Sequence, residues 1–276
     1  MNTPSNPPYR GKIKAAILDW AGTTVDYGSF APTAVFMKLF ANHGVQIKME
    51  HARAPMGLMK KDHLRAIASH PEVSQAWQES HGTPVDEAAI DAMFAQFVPM
   101  QKECLREYAT VIPGVVEAMD AFRAAGMKIG TTTGYTHEMM EILAPEAAKN
   151  GYAPDCWVAA NDVPAGRPYP WMVYQNAIQL QVFPLSAYVK IGDTLVDIEE
   201  GHNAGMWTIG LAITGNMLGL TEAEVQNLPQ SELDRQREEI GARFAQAGAH
   251  YVADGLGDCP AILEEINQRL ANGERP

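Results

Sequence analysis

Apolar residues fall in short runs along the chain, and each run ends at a glycine, a proline or an acidic residue. The run over residues 12–18 predicts a buried strand that stops at Asp19. Five similar runs follow, at residues 127–133, 156–160, 187–192, 207–212 and 250–253. Segments with helical periodicity lie between them, including residues 137–149, 170–181 and 195–204. This alternation predicts an α/β fold with a Rossmann-like, doubly wound parallel sheet.

Between residues 27 and 108 the alternation stops, because no run there is typical of a strand. Helical periodicity appears instead at residues 33–42, 56–69, 73–79 and 86–107. We therefore expect an α-helical cap domain, residues 27–108, inserted into a core domain that comprises residues 1–26 and 109–276. An insertion after the first strand lies over the sheet edge where α/β proteins bind ligands, so the cap can act as a lid.

Composition narrows the classes of function. The chain has 276 residues, 46% of them hydrophobic, with 21 basic and 33 acidic side chains and a net charge of −12. Such a charge argues against a nucleic-acid partner or an anionic membrane surface, but a local site can still attract a small anion. No apolar run approaches the roughly 20 residues that span a bilayer, and the polar, Pro-rich N-terminus does not resemble a signal peptide. The three cysteines fit no zinc or disulfide pattern, so we expect a cytoplasmic protein.

Acidic residues stand directly after two of the predicted strands. Asp19 begins the motif Asp-Trp-Ala-Gly-Thr-Thr-Val-Asp, and Asp193 and Asp197 lie in Ile-Gly-Asp-Thr-Leu-Val-Asp. One aspartate after a strand more often caps a turn than carries out chemistry. Three carboxylates at one sheet edge repel one another unless a cation is present, and an oxygen-only ligand set favours Mg²⁺.

Two further motifs supply groups that can bind an anion. Residues 131–134, Thr-Thr-Thr-Gly, end the second strand and offer hydroxyl and amide donors. Arg167 lies on a loop between glycine and proline, where its five N–H donors suit phosphoryl oxygens. An arginine in such a loop could equally be a surface residue. The coincidence of four motifs near strand ends favours a functional site.

Together these motifs resemble the haloacid dehalogenase-like superfamily. The resemblance implies that Asp19 is a nucleophile and a Mg²⁺ ligand, and that Thr133 and Arg167 bind a phosphoryl group. It also implies that Asp193 is a Mg²⁺ ligand and that Asp197 supports the metal site.

One position departs from the pattern of the superfamily's phosphatases. These enzymes carry a second aspartate two residues after the nucleophile, where it protonates the leaving oxygen. Here that position is Ala21, which can offer only its backbone carbonyl to the metal. A phosphate ester would therefore lose its general acid.

The predicted cap contains two adjacent lysines. On a helix, Lys60 shares the apolar face with Met56 and His63, whereas Lys61 lies with Arg65 on the solvent side. A lysine held against apolar surface has a lowered pKa and can form a Schiff base. A pair of surface lysines is the simpler alternative.

The motifs also resemble the phosphonatase branch of the superfamily, over both core and cap. The shared segments are residues 19–28, 55–60, 132–136, 162–171 and 205–207. This resemblance implies a Schiff-base lysine at Lys60, with Met56 and His63 beside it at the substrate. The implied reaction is hydrolysis of phosphonoacetaldehyde to acetaldehyde and phosphate through an aspartyl phosphate, in 2-aminoethylphosphonate degradation.

Some alternatives stay open from the sequence. A phosphatase or phosphomutase of the same superfamily could act on a small phosphate ester, although Ala21 counts against it. A non-catalytic binding protein is a second alternative. The resemblance also implies a homodimer formed through the cap. Phe36, Met37 and Phe40 suit either that surface or the core of the cap, and His63 suits either a proton shuttle or a solvent-facing position.

Overall fold

The centre of the molecule is a sheet of six parallel strands in the order β3-β2-β1-β4-β5-β6. The computed structural model describes residues 8–276, so the first seven residues of the predicted core domain, which form part of its Pro-rich start, lie outside the described residues. The strands are β1 (Ala15–Leu18), β2 (Lys128–Thr133), β3 (Cys156–Ala159), β4 (Tyr188–Gly192), β5 (Trp207–Leu211) and β6 (Tyr251–Ala253). Each lies within a run predicted from the sequence, and the predicted fold class is confirmed.

Strands β1, β4 and β5 are buried along their whole length. Helices cover both faces of the sheet, so these strands are nearly continuous apolar runs. The strand order reverses at β1, which pairs with β2 on one side and β4 on the other. In doubly wound sheets such a reversal opens a crevice at the carboxyl ends of the strands.

The helices of the core pack around this sheet. They are α6 (Val115–Ala124), α7 (His137–Lys149), α8 (Trp171–Leu180), α9 (Leu195–Asn203), α10 (Glu222–Asn227), α11 (Gln230–Gln246) and α12 (Cys259–Ala271). The sequence analysis left out α12, although Leu263, Ile266 and Leu270 are buried at helical spacing. Within residues 8–276, no helix combines the length and the apolar character needed to cross a bilayer.

Five helices separate β1 from α6. They are α1 (Phe30–Asn42), α2 (Met49–Arg53), α3 (Lys60–Ala68), α4 (Pro71–His81) and α5 (Glu87–Cys104), followed by a 3-10 turn over Leu105–Tyr108. Asp26 caps α1, since its carboxylate accepts hydrogen bonds from the amides of Phe30 (3.0 Å) and Ala31 (2.9 Å). Phe36 and Phe40 are fully buried, so they belong to the core of the cap. The boundaries at residues 27 and 108 stay a prediction.

Helix α3 begins later than the sequence predicts. Its first residue is Lys60, and Met56 lies in the preceding turn rather than on the helix face. Gly57 has a φ of 92°, a left-handed conformation that interrupts the helix. A Cβ on Gly57 would lie 2.5 Å from Cγ2 of Val196, so this turn lies directly on the core.

Candidate active site

The crevice at the reversal of strand order brings Asp19 close to Asp193. Leu18 pairs with Ile191 in the register between β1 and β4, so both aspartates stand just beyond the strand ends. The backbone N–H of Asp19 continues the ladder by donating to the carbonyl of Ile191 at 3.0 Å. The predicted convergence therefore follows from the order of the strands.

The carboxylates of Asp19, Asp193 and Asp197 form one buried cluster. Each contributes an oxygen, and these three oxygens lie within 4.8 Å of one another. Burial, together with the nearby charges of Asp19 and Asp197, raises the pKa of Asp193 to about 8. A cation would relieve the repulsion that causes part of this shift, so the donor set fits a hard divalent ion.

The surroundings of Asp193 hold its carboxylate in place. Oδ1 accepts from the hydroxyl of Thr23 at 3.0 Å, and Oδ2 accepts from the backbone N–H of Asn216 at 2.7 Å. Gly22 has a φ of 84°, and a Cβ at this position would lie 2.2 Å from Oδ2 of Asp193. Only glycine lets the backbone after Asp19 approach the second carboxylate this closely.

Arg167 is fully buried beside Asp19, so the alternative of a surface arginine is wrong. Its Nη2 donates to Oδ1 of Asp19 at 2.7 Å and to the carbonyl of Thr132 at 2.8 Å, and its Nε donates to Glu200 at 3.1 Å. Its Nη1 is buried and has no hydrogen-bond partner among the described residues. The guanidinium is thus fixed on one side and keeps unused donors on the other.

Arg167 is part of a group of buried polar residues, of which Lys190 and Glu200 were not predicted from the sequence. We call it the core ion network; it comprises Thr132, Arg167, Lys190, Asp197 and Glu200. Nζ of Lys190 lies 2.7 Å from Oδ1 of Asp197, 3.0 Å from the hydroxyl of Thr132 and 3.3 Å from Oε2 of Glu200. Oδ2 of Asp197 also accepts from the backbone N–H and the hydroxyl of Thr194, so both of its oxygens have polar partners. A lysine inside an apolar strand was the signal that could have revealed this network.

Lys60 is buried in the cap, and its surroundings differ from those of Lys190 in the core. Its Nζ lies 4.8 Å from the ring centre of Tyr135 and 6.0 Å from that of Phe36. Within the described residues, no carboxylate forms an ion pair with it. Burial lowers the pKa of Lys60 to about 8, although the charge of Asp19 opposes the shift. Its neighbour Lys61 is partly exposed and pairs with Asp91, so the two lysines differ as the helix face predicts.

His63 is fully buried, which excludes the solvent-facing alternative. Its Nε2 lies 2.8 Å from the carbonyl of Ala52, and its ring packs on Phe36 with centres 4.0 Å apart. Burial and then the charge of Lys60 lower the pKa of His63 well below its ordinary value, so the ring is neutral and Nε2 carries the proton. Nδ1 is buried without a hydrogen-bond partner. This free lone pair belongs to a residue one helical turn from Lys60.

The cap lies closed over the remaining predicted residues. Thr133 is 3% exposed, and its hydroxyl accepts from the N–H of Tyr135 at 3.1 Å. A Cβ on the next residue, Gly134, would lie 2.5 Å from the carbonyl oxygen of Leu58, so cap and core backbones are in contact there. Met56 lines a cavity of about 340 Å³ between cap and core. Ala21 is half-buried beside Asp19 and contributes no side-chain chemistry.

Comparison with known proteins places this site in a family. The model of the haloacid dehalogenase-like hydrolases matches residues 13–205. Two proteins of Syntrophobacter fumaroxidans are similar over 98% of this chain: a phosphonoacetaldehyde hydrolase-like protein, 53% identical over 97% of its own length, and a phosphonoacetaldehyde hydrolase, 51% identical over 98%. The crystal structure of a phosphonoacetaldehyde hydrolase like protein from Oleispira antarctica superposes with a TM-score of 0.97 at 38% identity, covering 100% of both chains. The resemblance seen in the sequence is confirmed. The chain belongs to the haloacid dehalogenase-like hydrolases, and within them to the group that includes these phosphonoacetaldehyde hydrolases.

Proposed function

We propose that the protein hydrolyses the carbon–phosphorus bond of phosphonoacetaldehyde, giving acetaldehyde and phosphate. The observation that carries this proposal is Lys60, a buried amine without a carboxylate partner and with a pKa of about 8. An amine of this kind is a nucleophile toward an aldehyde at neutral pH. The names of the full-length relatives support the same substrate, and degradation of 2-aminoethylphosphonate is the pathway we propose.

The first step joins the neutral Nζ of Lys60 to the aldehyde carbon. Loss of water leaves a protonated imine, which withdraws electrons from the neighbouring carbon. The neutral ring of His63 lies one helical turn away, and its free Nδ1 can accept and return the protons that this step moves. Met56, which the resemblance implies at the substrate, lines a cavity between cap and core whose lining includes neither Lys60 nor His63.

The second step transfers the phosphoryl group to the core. An oxygen of Asp19 attacks phosphorus, and the electron pair of the C–P bond moves to carbon, leaving an enamine on Lys60. Arg167 holds the attacking carboxylate at 2.7 Å and directs its unused Nη1 donors toward the phosphoryl oxygens, with Thr133 as a further donor. Water then hydrolyses the aspartyl phosphate, and the enamine takes up a proton on carbon and is hydrolysed to acetaldehyde.

Ala21 fits this chemistry. A phosphate ester leaves as an alkoxide that needs a proton, whereas the enamine carbon needs none at the moment of bond cleavage. An aspartate at position 21 would have nothing to protonate. The lack of a carboxylate at position 21 thus favours a carbon leaving group over an oxygen leaving group.

The carboxylate cluster fits Mg²⁺. One oxygen each of Asp19 and Asp193 and the carbonyl of Ala21 would hold it, while Asp197 supports the site from the core ion network. When bound, the ion neutralises charge on the phosphoryl oxygens. The raised pKa of Asp193 is the observation of this chain that favours such a cation.

We also propose a cytoplasmic homodimer, as the sequence resemblance implies. The net charge of −12 favours a small-molecule substrate rather than a nucleic acid or an anionic membrane. Since Phe36 and Phe40 lie in the core of the cap, a dimer surface would have to use other residues of the cap.

Borohydride trapping tests the imine. The protein is mixed with phosphonoacetaldehyde and borohydride, and the reduced adduct is mapped by mass spectrometry. We expect the adduct on Lys60 in the wild type and in Lys61→Met, and none in Lys60→Met. An adduct confined to Lys61, or phosphate release undiminished in Lys60→Met, would refute the assignment.

A second experiment separates the two halves of the reaction. Asp19→Asn keeps an acceptor for Arg167 but removes the nucleophile, so it should form the Lys60 adduct and release no phosphate. For the wild type, a generic phosphate ester should turn over at least about 100-fold more slowly than phosphonoacetaldehyde, the usual contribution of a general acid. Faster turnover of the ester would favour the phosphatase alternative instead.

A further inference from the structure

Arg53 spans the boundary between cap and core. It is the last residue of α2, and its half-buried guanidinium reaches the loop between β5 and α10, residues 212–221. Its Nη1 donates to the carbonyl of Gly28 at 2.7 Å and to Oδ1 of Asn216 at 3.0 Å, and its Nη2 lies 3.3 Å from the carbonyl of Gly219. One side chain of the cap therefore holds both the segment that leads into the cap and a loop of the core.

Asn216 connects this contact to the carboxylate cluster. Its side-chain amide donates back to the carbonyl of Arg53 at 3.2 Å, so the two residues are joined by a reciprocal pair of hydrogen bonds. The backbone N–H of the same Asn216 donates to Oδ2 of Asp193 at 2.7 Å. A single residue thus contacts the cap with its side chain and the site with its backbone.

The loop is shaped around the guanidinium. Gly219 has a φ of 68°, and a Cβ at this position would lie 2.9 Å from Cζ of Arg53. On the other side, the guanidinium lies over the ring of Phe30, with Cζ 4.7 Å from the ring centre. A lysine has the charge but lacks the planar fork that reaches three acceptors at once.

We infer that Arg53 is a positioning residue that couples closure of the cap to the placement of Asp193. When the cap is closed, Arg53 and Asn216 hold the loop so that its amide points at Oδ2. When the cap opens, Asn216 loses both side-chain hydrogen bonds and the amide loses its support. The phosphoryl half of the site is then complete only while Lys60 is in place above it. This inference rests on the proposed function.

The test compares two arginines that line the same cavity. Arg53→Met removes the contact, whereas Arg243→Met is the matched control, because within residues 8–276 the side chain of Arg243 forms no hydrogen bond or ion pair. Mg²⁺ binding is measured by calorimetry on the substrate-free protein, phosphate release by turnover, and the Lys60 adduct by borohydride trapping. Asn216→Ala breaks the same pair from the core side and keeps the backbone amide, so it serves if Arg53→Met does not fold.

We expect Arg53→Met and Asn216→Ala each to weaken Mg²⁺ binding and slow phosphate release by about tenfold, the loss of a few hydrogen bonds. The double variant should be no worse than either single variant, since one contact is broken in all three. The Lys60 adduct should persist in every variant. Equal Mg²⁺ affinity and turnover in Arg53→Met and Arg243→Met, or multiplied effects in the double variant, would overturn the inference. Absence of the adduct from the wild type would instead refute the proposed function.

Discussion

Two buried amines lie on opposite sides of the crevice, and they have opposite surroundings. Lys190 in the core ion network contacts two carboxylates and a hydroxyl, with Nζ 2.7 Å from Asp197. Lys60 in the cap faces aromatic rings and pairs with no carboxylate among the described residues. Both side chains are buried away from water, but only Lys190 has carboxylates in contact with its amine.

The difference decides what each amine can do. Lys190 contacts the carboxylates of Asp197 and Glu200 and holds both of them in place behind Arg167. Burial without such a partner favours the neutral form, and the pKa of Lys60 falls to about 8. One lysine therefore supports the proposed phosphoryl site, and the other is available for the proposed role of nucleophile.

The largest effect is expected from Lys60→Arg. Arginine keeps the positive charge but cannot condense with an aldehyde, so phosphate release should fall about 10⁴-fold or more, as when other enzymes lose a nucleophile. Steady-state turnover with phosphonoacetaldehyde measures the loss. Lys61→Arg on the exposed side of the same helix is the control and should keep wild-type turnover. If Lys60→Arg retained a tenth of the activity, a charge alone would suffice and the imine would be excluded.

Lys190→Met should have the next largest effect, on stability rather than chemistry. It leaves the carboxylates of Asp197 and Glu200 with one cation, Arg167, in place of two. Breaking a buried ion pair in this way costs about 3–5 kcal/mol of unfolding free energy. Urea unfolding measures the change, and adding Glu200→Gln to Lys190→Met should restore part of it because one uncompensated charge is removed. A Lys190→Met protein as stable as the wild type would show that the network contributes no net pairing energy.

The two sides of the comparison were not equally predictable from the sequence. Helix periodicity separates Lys60 from Lys61, and the resemblance to the phosphonatase branch implies the role of Lys60. The positions of Asp19 and Asp193 follow from apolar runs that end in an acidic residue. The partners of Lys190 could not be found in the same way. They lie on α9, a helix that only the fold brings against the strand, and Glu200 reads locally as one more acidic helix residue.

Contacts distant in sequence explain the other differences. Helix α3 starts at Lys60 because Gly57 is pressed against Val196 of the core, and nothing near Met56 indicates this contact. No local pattern indicates the role of Arg53, because its partner Asn216 is 163 residues away. Local patterns thus predicted the strands and the candidate nucleophiles, whereas the residues that hold them depend on the strand order and the closed cap.

The rate at which the imine is trapped should depend on pH in the way expected of a buried lysine without a carboxylate partner. Only the neutral amine attacks the aldehyde, so the rate of adduct formation should fall about tenfold for each pH unit below the pKa of Lys60, and level off above about 8. The charge of Asp19 raises this pKa, so the midpoint in Asp19→Asn should lie lower. Cyanoborohydride trapping over a series of pH values measures both midpoints. A midpoint near the ordinary value for lysine, 10.5, would show that burial does not lower the pKa of Lys60, and it would remove the contrast.

The smallest effect should be a gain in stability in Lys60→Met. The pKa of Lys60 is lower in the folded than in the unfolded protein, so burying the charged amine costs free energy wherever both states are protonated, which is below pH about 8. Methionine has similar bulk and no charge, so at pH 7 it should raise the unfolding free energy by about 1–3 kcal/mol. Between pH about 8 and 10.5 the wild type becomes more stable, because the unfolded state alone stays protonated, and the advantage of methionine should shrink. Urea unfolding of both proteins at pH 7 and 9.5 measures this trend. At pH 7, a gain of unfolding free energy in Lys60→Met and a loss in Lys190→Met would establish that Lys60 is buried at a cost, whereas its carboxylate partners compensate for the burial of Lys190. A loss of unfolding free energy in both variants would contradict the contrast.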